Sequence, residues 1–356
     1  MNFIISGDSH GPMMIGTITN IPAGLKIDID SINEDLKRRQ KGYGRGKRMK
    51  IENDKVEIVS GIWKGYTTGA PLTLIIQNKG SNTEKEVRSV PRPGHGDYNA
   101  YMKYKIPDLN IYTERNSARW TAVLTALGSI GKQFLKEFNI EINGYVKNIG
   151  KMNIKDGEIT EEVKKYIDEM KNRGDTLGGT VKVVAKNAKA GIGGYSTVFE
   201  RLDSKIGKVF MSIPSVKGII IGNEDFSLTG SEYHDEFYIE ENKIKRKTNN
   251  AGGIEAGFTN GENIEITVFL KPIPTLGNPL NSVDLKEKKE VKSPYIRSDV
   301  TVIPSSIIIF ENALALILMG SIIERFGNDN IDELVRRYNS ANLFDWNDGF
   351  WKDNNR

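Results

Sequence analysis

Three histidines serve this chain of 356 residues, and two of them sit in the same kind of setting. His10 lies in Gly7-Asp8-Ser9-His10-Gly11, and His95 in Arg92-Pro93-Gly94-His95-Gly96-Asp97-Tyr98, each in a loop bounded by glycines. Imidazole exchanges its proton near neutral pH, so paired loops of this kind suit acid–base chemistry. The plain alternative is a solvated or turn histidine. His234, beside acids in Ser231-Glu232-Tyr233-His234-Asp235-Glu236, reads as structural or solvated.

Arginines supply the second theme. From Arg38 to Lys50 the chain reads RRQKGYGRGKRMK, with seven basic residues in thirteen and glycines alternating at 42, 44 and 46. Glycine lets the backbone take positive φ and approach a ligand closely, and guanidinium forks match phosphate and carboxylate oxygens. Two readings stand: a cradle for a multiply charged anion, or a basic patch for nucleic acid. Arg115 and Arg119 are four residues apart at the start of an apolar segment reaching about Phe138. The spacing predicts one helix face at an N-terminus, where free N–H groups already favour an anion. A late acid, Asp299, follows Arg297 and Ser298.

Charge totals favour the pocket over the patch. Fifty basic residues face 46 acidic ones, a net of +4, so the positive charge is local. No cysteine is present, which excludes disulfides, thiolate metal sites and thiol nucleophiles and fits a reducing compartment. The reading also sets aside a P-loop, a dinucleotide fingerprint, a nucleophile elbow and any cluster with metal-ligand spacing. What remains suits proton transfer on a phosphorylated, carboxylated substrate, and spacing alone does not name the reaction.

These groups need elements to hold them. Phe3 to Ile5 reads as a first strand running into the His10 loop, and Thr17 to Leu25 as a second. Ser31 with Glu34 reads as a capping box opening a helix that carries Arg38 and Arg39 in its last turn and stops at Gly42. Strands are expected at 56–59, 72–76, 180–184 and 218–222, and at 264–270, where apolar residues alternate. Helices are expected at 161–173 and 199–211. The apolar stretch Ile307 to Ile323 is interrupted by Glu311, Asn312 and Gly320, so it reads as a buried helix and not a membrane span. The opening residues do not form a signal peptide. A cytoplasmic, soluble protein is expected, with residues 1–356 as a single domain and 342–356 as a tail without an assigned role.

The segments resemble chorismate synthases across nearly the whole chain. GDSHG (7–11), RRQKGYGRGKRMKIE (38–52), SGIWKGYTTGAP (60–71), RPGHGDY (92–98) and ERNSARWTA (114–122) follow in the family's order. DTLGG (175–179), RLDSKI (201–206), SIPSVKG (212–218), AGGIEAGFTNG (251–261), KPIPT (271–275) and RSDVTVIP (297–304) complete the set. The resemblance implies an α+β fold, a β-α-β sandwich, assembling as a homotetramer. It implies conversion of 5-enolpyruvylshikimate 3-phosphate to chorismate and phosphate, a 1,4-elimination needing reduced FMN without net redox change. NADPH would serve as flavin reductant, or an external flavin reductase would; no nucleic acid, membrane or metal is implied.

Carried over by motif, His10 would protonate the leaving phosphate, His95 the reduced flavin, and Asp299 would assist proton removal. Arg39, Arg45, Arg48 and Arg119 would hold substrate or the nicotinamide dinucleotide phosphate. Flavin contacts would fall on Arg115, Asn116, Ser117, Pro214, Ser215, Ala256, Lys271, Pro272, Ile273, Pro274, Thr275 and Arg297. The chain departs from the family pattern at Asp8, Gly96 and Trp120, and Pro214 and Pro274 stand inside the flavin segments. Rival readings are a flavin-binding relative without turnover and a basic nucleic-acid-binding protein.

Overall fold

The protein is described by a computed structural model covering residues 2–45, 54–78, 86–295 and 299–341. Two antiparallel sheets enclose a layer of helices. The first sheet holds β1 (Asn2–Gly7), β2 (Met13–Thr19), β3 (Val56–Ser60) and β4 (Leu72–Gln77), in the order β1-β2-β4-β3. The second holds β5 (Glu141–Ile149), β6 (Met152–Asn153), β7 (Gly179–Lys186), β8 (Val216–Ile221) and β9 (Ile264–Leu270), in the order β8-β9-β7-β5-β6. Between them lie α1 (Ile29–Gln40), α2 (Thr121–Lys136) and α3 (Ile303–Phe326).

Each layer follows from its residue pattern. On β9, Ile264, Ile266, Val268 and Leu270 are buried, the period of two expected of a strand with one face in a core. Helix α2 packs on β2 and β4, and α3 packs on β5 and β7, so the two helices join the two sheets. They can touch closely because α2 carries Gly128 and Gly131. A Cβ on Gly128 would collide with the backbone of Asn312, and one on Gly131 would lie 3.0 Å from the Ala315 carbonyl carbon.

Helix α3 is apolar enough and long enough to cross a bilayer by composition, yet its apolar surface is buried within this fold. Its one buried charge is a joint. Glu311 accepts hydrogen bonds from Arg38 on α1 (3.2 and 3.3 Å), Lys132 on α2 (2.6 Å) and the Gly144 amide on β5 (3.0 Å). Three donors on three elements make a carboxylate tolerable where water is excluded.

Several expected boundaries move. Helix α1 starts a turn before Ser31: Asp28 is the cap, accepting from the amides of Asp30 (3.0 Å) and Ser31 (3.3 Å) and from the Ser31 hydroxyl (2.6 Å). The second strand stops at Thr19, and the helix expected at 199–211 spans Leu202–Phe210. The long helix expected from Glu114 is three pieces: Asn110–Asn116, a 3₁₀ turn at Ala118–Trp120, and α2. Ser117 is extended between the first two, and its hydroxyl accepts from the Arg119 amide. Trp120 packs against the apolar core.

Candidate active site

His10 sits in the turn joining β1 to β2. Its amide donates to Glu114 Oε2 (2.7 Å), and its Nδ1 lies 2.8 Å from Glu114 Oε1. Ser9 donates its hydroxyl to the same carboxylate at 2.9 Å. A proton on Nδ1 satisfies this arrangement and makes Nε2 the nitrogen that exchanges protons with a substrate. The letters Gly7-Asp8-Ser9-His10-Gly11 do spell G-x-S-x-G, so setting aside a nucleophile elbow on sequence needs correcting. Geometry excludes it instead: an elbow is a strand-to-helix turn, whereas this turn joins antiparallel strands and Ser9 is buried.

Behind that turn runs a chain of polar contacts. Asn78 donates to the carbonyls of Asp8 (3.0 Å) and Gly11 (2.8 Å), and accepts from Arg119 Nε (2.8 Å). Arg119 also donates to Asp54 at 2.7 Å, and Arg39 stands 3.7 Å from the same carboxylate. Arg39 further donates to Thr121 Oγ1 (2.9 and 3.1 Å) and to the Ala118 carbonyl (3.2 Å). The structure thus brings His10, Arg119 and Arg39 into one network centred on a buried Asp54. Arg115 and Arg119 do not share a helix face; Arg115 is largely exposed and donates to the Gly7 carbonyl at 2.5 Å.

His95 belongs to a second loop, organised by Asp97. That carboxylate is fully buried at the start of the helix Asp97–Tyr104 and is gripped by Arg92 (2.8 and 2.9 Å) and Arg88 (3.0 Å). Burial pushes Asp97 up, but the hydrogen bond and charge of Arg92 with the charge of Arg88 outweigh it and hold the carboxyl below its usual value. His95 is pushed the other way, to about 4, first by burial and then by Arg92, with Lys271 and Arg88 adding to the effect and Asp97 opposing it. Its Nε2 is buried and has no hydrogen-bond partner.

The Lys271–Thr275 segment lies against this loop. Lys271 Nζ donates to the Gly94 carbonyl at 2.6 Å, and a Cβ on Gly94 would stand 2.8 Å from Pro274. Ile273 accepts from the Thr176 hydroxyl at 2.6 Å, Pro272 is adjacent, and Thr275 is buried. Ser215, at φ 73°, follows Pro214 and accepts from the Lys271 amide (2.9 Å), which ties that pair to the same segment. Asn116 lies against Gly96, where a Cβ would come within 2.8 Å of its side-chain nitrogen. Ala256, at φ 48°, lies in the small hairpin of Ile254–Glu255 and Phe258–Thr259 beside the helix Leu202–Phe210.

A third grouping joins Arg45 to Asp299 at 2.8 Å, both largely buried. The glycines of the basic stretch explain how they meet. Gly42 and Gly44 have φ of 127° and 91°, and a Cβ on Gly44 would lie 2.7 Å from Thr301 Cγ2. The Gly44 carbonyl accepts from the Val300 amide at 2.8 Å. At these two positions the close approach is made by the chain's own 299–305 segment. Arg48, Arg297 and the 342–356 tail lie outside the described residues.

One short helix connects the two histidine loops. On Asn110–Asn116, Thr113 accepts from Arg88 (2.5 Å) and Arg92 (3.1 Å) behind His95, while its neighbour Glu114 holds His10. Sequence reasoning missed Glu114, Asp54, Asn78 and Asp97 as partners. Glu114 and Asp97 stood within quoted motifs and Asp54 just past one, but pairing across a fold leaves no local spacing. His234 is exposed and apart from these groups.

Comparison with known proteins gives the family. The family model for chorismate synthase matches residues 1–323. A curated chorismate synthase of Thermotoga sp. (strain RQ2) is 51% identical over the full length of both chains. One from Caldanaerobacter subterraneus subsp. tengcongensis is 42% identical, covering 96% of this chain and 98% of that one. A crystal structure of chorismate synthase superposes with a TM-score of 0.79 at 32% identity, covering 95% of this chain and 96% of the other. The chain belongs to the chorismate synthase family.

Proposed function

We propose that this chain converts 5-enolpyruvylshikimate 3-phosphate to chorismate and phosphate, with His10, His95 and Asp299 as its proton-handling groups. The observation that carries this reading is the helix Asn110–Asn116, whose adjacent residues Thr113 and Glu114 fix both histidine loops in one frame. A reaction that removes a proton and expels a phosphate needs a base, an acid and anion-binding cations at once. His10, with Nδ1 held by a carboxylate, can present a proton at Nε2 to the departing phosphate. The side chains expected to bind the substrate's carboxylates and phosphate are Arg39, Arg45, Arg48 and Arg119.

The surroundings of His95 fit reduced FMN. A buried Nε2 without a hydrogen-bond partner, with the charges of Arg92, Lys271 and Arg88 outweighing that of Asp97, suits an anionic, hydrogen-bonding group, and a flavin with its phosphate is one. Reduced FMN, when bound, supplies transient electron density to the substrate and recovers it. Arg115, Asn116, Ser117, Pro214, Ser215, Ala256, Lys271 to Thr275 and Arg297 would hold it. A negative group there would raise the proton affinity of His95 and let it deliver a proton. Asp299 would receive the substrate proton, oriented by Arg45. NADPH or a separate flavin reductase would reduce the flavin, and the working form would be a cytoplasmic homotetramer of single-domain subunits.

The test is an anaerobic assay with 5-enolpyruvylshikimate 3-phosphate, with and without chemically reduced FMN, following chorismate absorbance. Product formed only with reduced FMN supports the reading. Flavin bound without product would mark a relative that has lost turnover. Tight nucleic-acid binding with a steep salt dependence would favour the basic-patch alternative.

A further inference from the structure

We propose that Glu114 is the positioning residue of His10, fixing both the tautomer and the direction of its imidazole. The inference rests on the reading of His10 as the proton donor. Glu114 reaches the histidine twice, through the backbone amide at 2.7 Å and through Nδ1 at 2.8 Å. Ser9 Oγ, donating at 2.9 Å, occupies a third site on the same carboxylate. One anion therefore grips the backbone, the ring and the preceding side chain of a turn that would otherwise let the ring rotate.

The chemistry of this contact is specific. A carboxylate at Nδ1 keeps the proton there in the neutral ring, so Nε2 is the nitrogen left to carry the exchanging proton. Both side chains are partly exposed, at 23% for His10 and 17% for Glu114, so the pair is open to a ligand but not freely solvated. The carboxylate is itself anchored, because its helix is bonded through Thr113 to Arg88 and Arg92.

The amide in Glu114→Gln has the same shape but only one acceptor oxygen, against three donors. We expect kcat about 10-fold lower or more with KM changed little. The double variant His10→Ala with Glu114→Gln should be no slower than His10→Ala alone. Glu114→Asp, which keeps the charge, should restore part of the rate.

Ring-nitrogen NMR gives a readout independent of turnover, with only three histidines to assign. Neutral His10 should be protonated at Nδ1 in the wild type and gain the Nε2-protonated form in Glu114→Gln. An unchanged kcat and an unchanged tautomer in folded Glu114→Gln would overturn the proposal. So would an Nε2-protonated ring in the wild type, a result that stands even if the variant does not fold. Full turnover in His10→Ala would instead remove the reading of His10, leaving the tautomer measurement to decide what Glu114 does.

Discussion

Arg45 and Asp299, from opposite ends of the chain, form an ion pair with 2.8 Å between Nη1 and Oδ2. The pair changes what each residue can be expected to do. An arginine already joined to a carboxylate is a weaker independent anchor for a ligand, and it sets the direction of that carboxylate.

Arg45→Ala should therefore act on turnover as well as on binding. We expect kcat for chorismate formation to fall at least about 10-fold, with KM for substrate also raised, because the Asp299 carboxylate loses the guanidinium that helps to orient it. Arg45→Lys should recover binding more than turnover, since an ammonium keeps charge without the planar fork. Steady-state kinetics with reduced FMN separate the two; a pure KM effect in Arg45→Ala would contradict the orienting role.

His10→Ala and His95→Ala should each lower turnover by roughly 10²-fold or more, the scale of lost general acid–base help. Neither should unfold the protein. His10 lies in a turn, and His95 contributes a buried nitrogen without a partner, whose removal relieves a cost of about 1–3 kcal/mol. Circular dichroism and thermal unfolding check the fold, and full activity in either variant removes that histidine's role.

Stability should fall with acid in a window set by His95. Its folded-state value of about 4 lies below the unfolded value of 6.5, so the unfolded chain takes up the proton first as pH falls. The contribution is intact above about pH 6.5, declines toward pH 4 and then levels off. Between pH 7 and pH 5 it amounts to at most about 2 kcal/mol at roughly 1.4 kcal/mol per unit, less for the ring's partial exposure. Denaturant midpoints at the two pH values, compared between wild type and His95→Gln, measure it. Equal acid sensitivity in the two proteins would show that His95 is not held neutral by its surroundings.

Gly128→Ala should destabilise the fold, although alanine in an ordinary helix is favoured over glycine by about 1 kcal/mol. The added methyl would press on the backbone of Asn312 in α3, and backbone cannot swing aside as a side chain can. A loss of about 1–3 kcal/mol is expected from overpacking, read as a lower melting temperature. An unchanged or higher melting temperature would mean the two helices can separate without cost.

The sequence by itself determined the main strands and helices and the candidate chemical groups. Alternation on Ile264–Leu270 and the apolar run of α3 are local patterns, and residues a few positions apart decide them through burial of one face or of the whole element. The two glycine-bounded histidines, the arginines and their order along the chain were legible for the same reason. Helix boundaries were less so: Asp28 and Ser31 both offer cap chemistry, and only the completed turn shows that Asp28 takes it while Ser31 donates to it. Partnership was decided by the tertiary structure alone. That Glu114 holds His10, that Asp54 lies between Arg39 and Arg119, and that Arg45 meets Asp299 are contacts between residues distant in sequence. Such contacts exist because buried charges must find opposite charges wherever packing brings them together, and no spacing along the chain records which they will be.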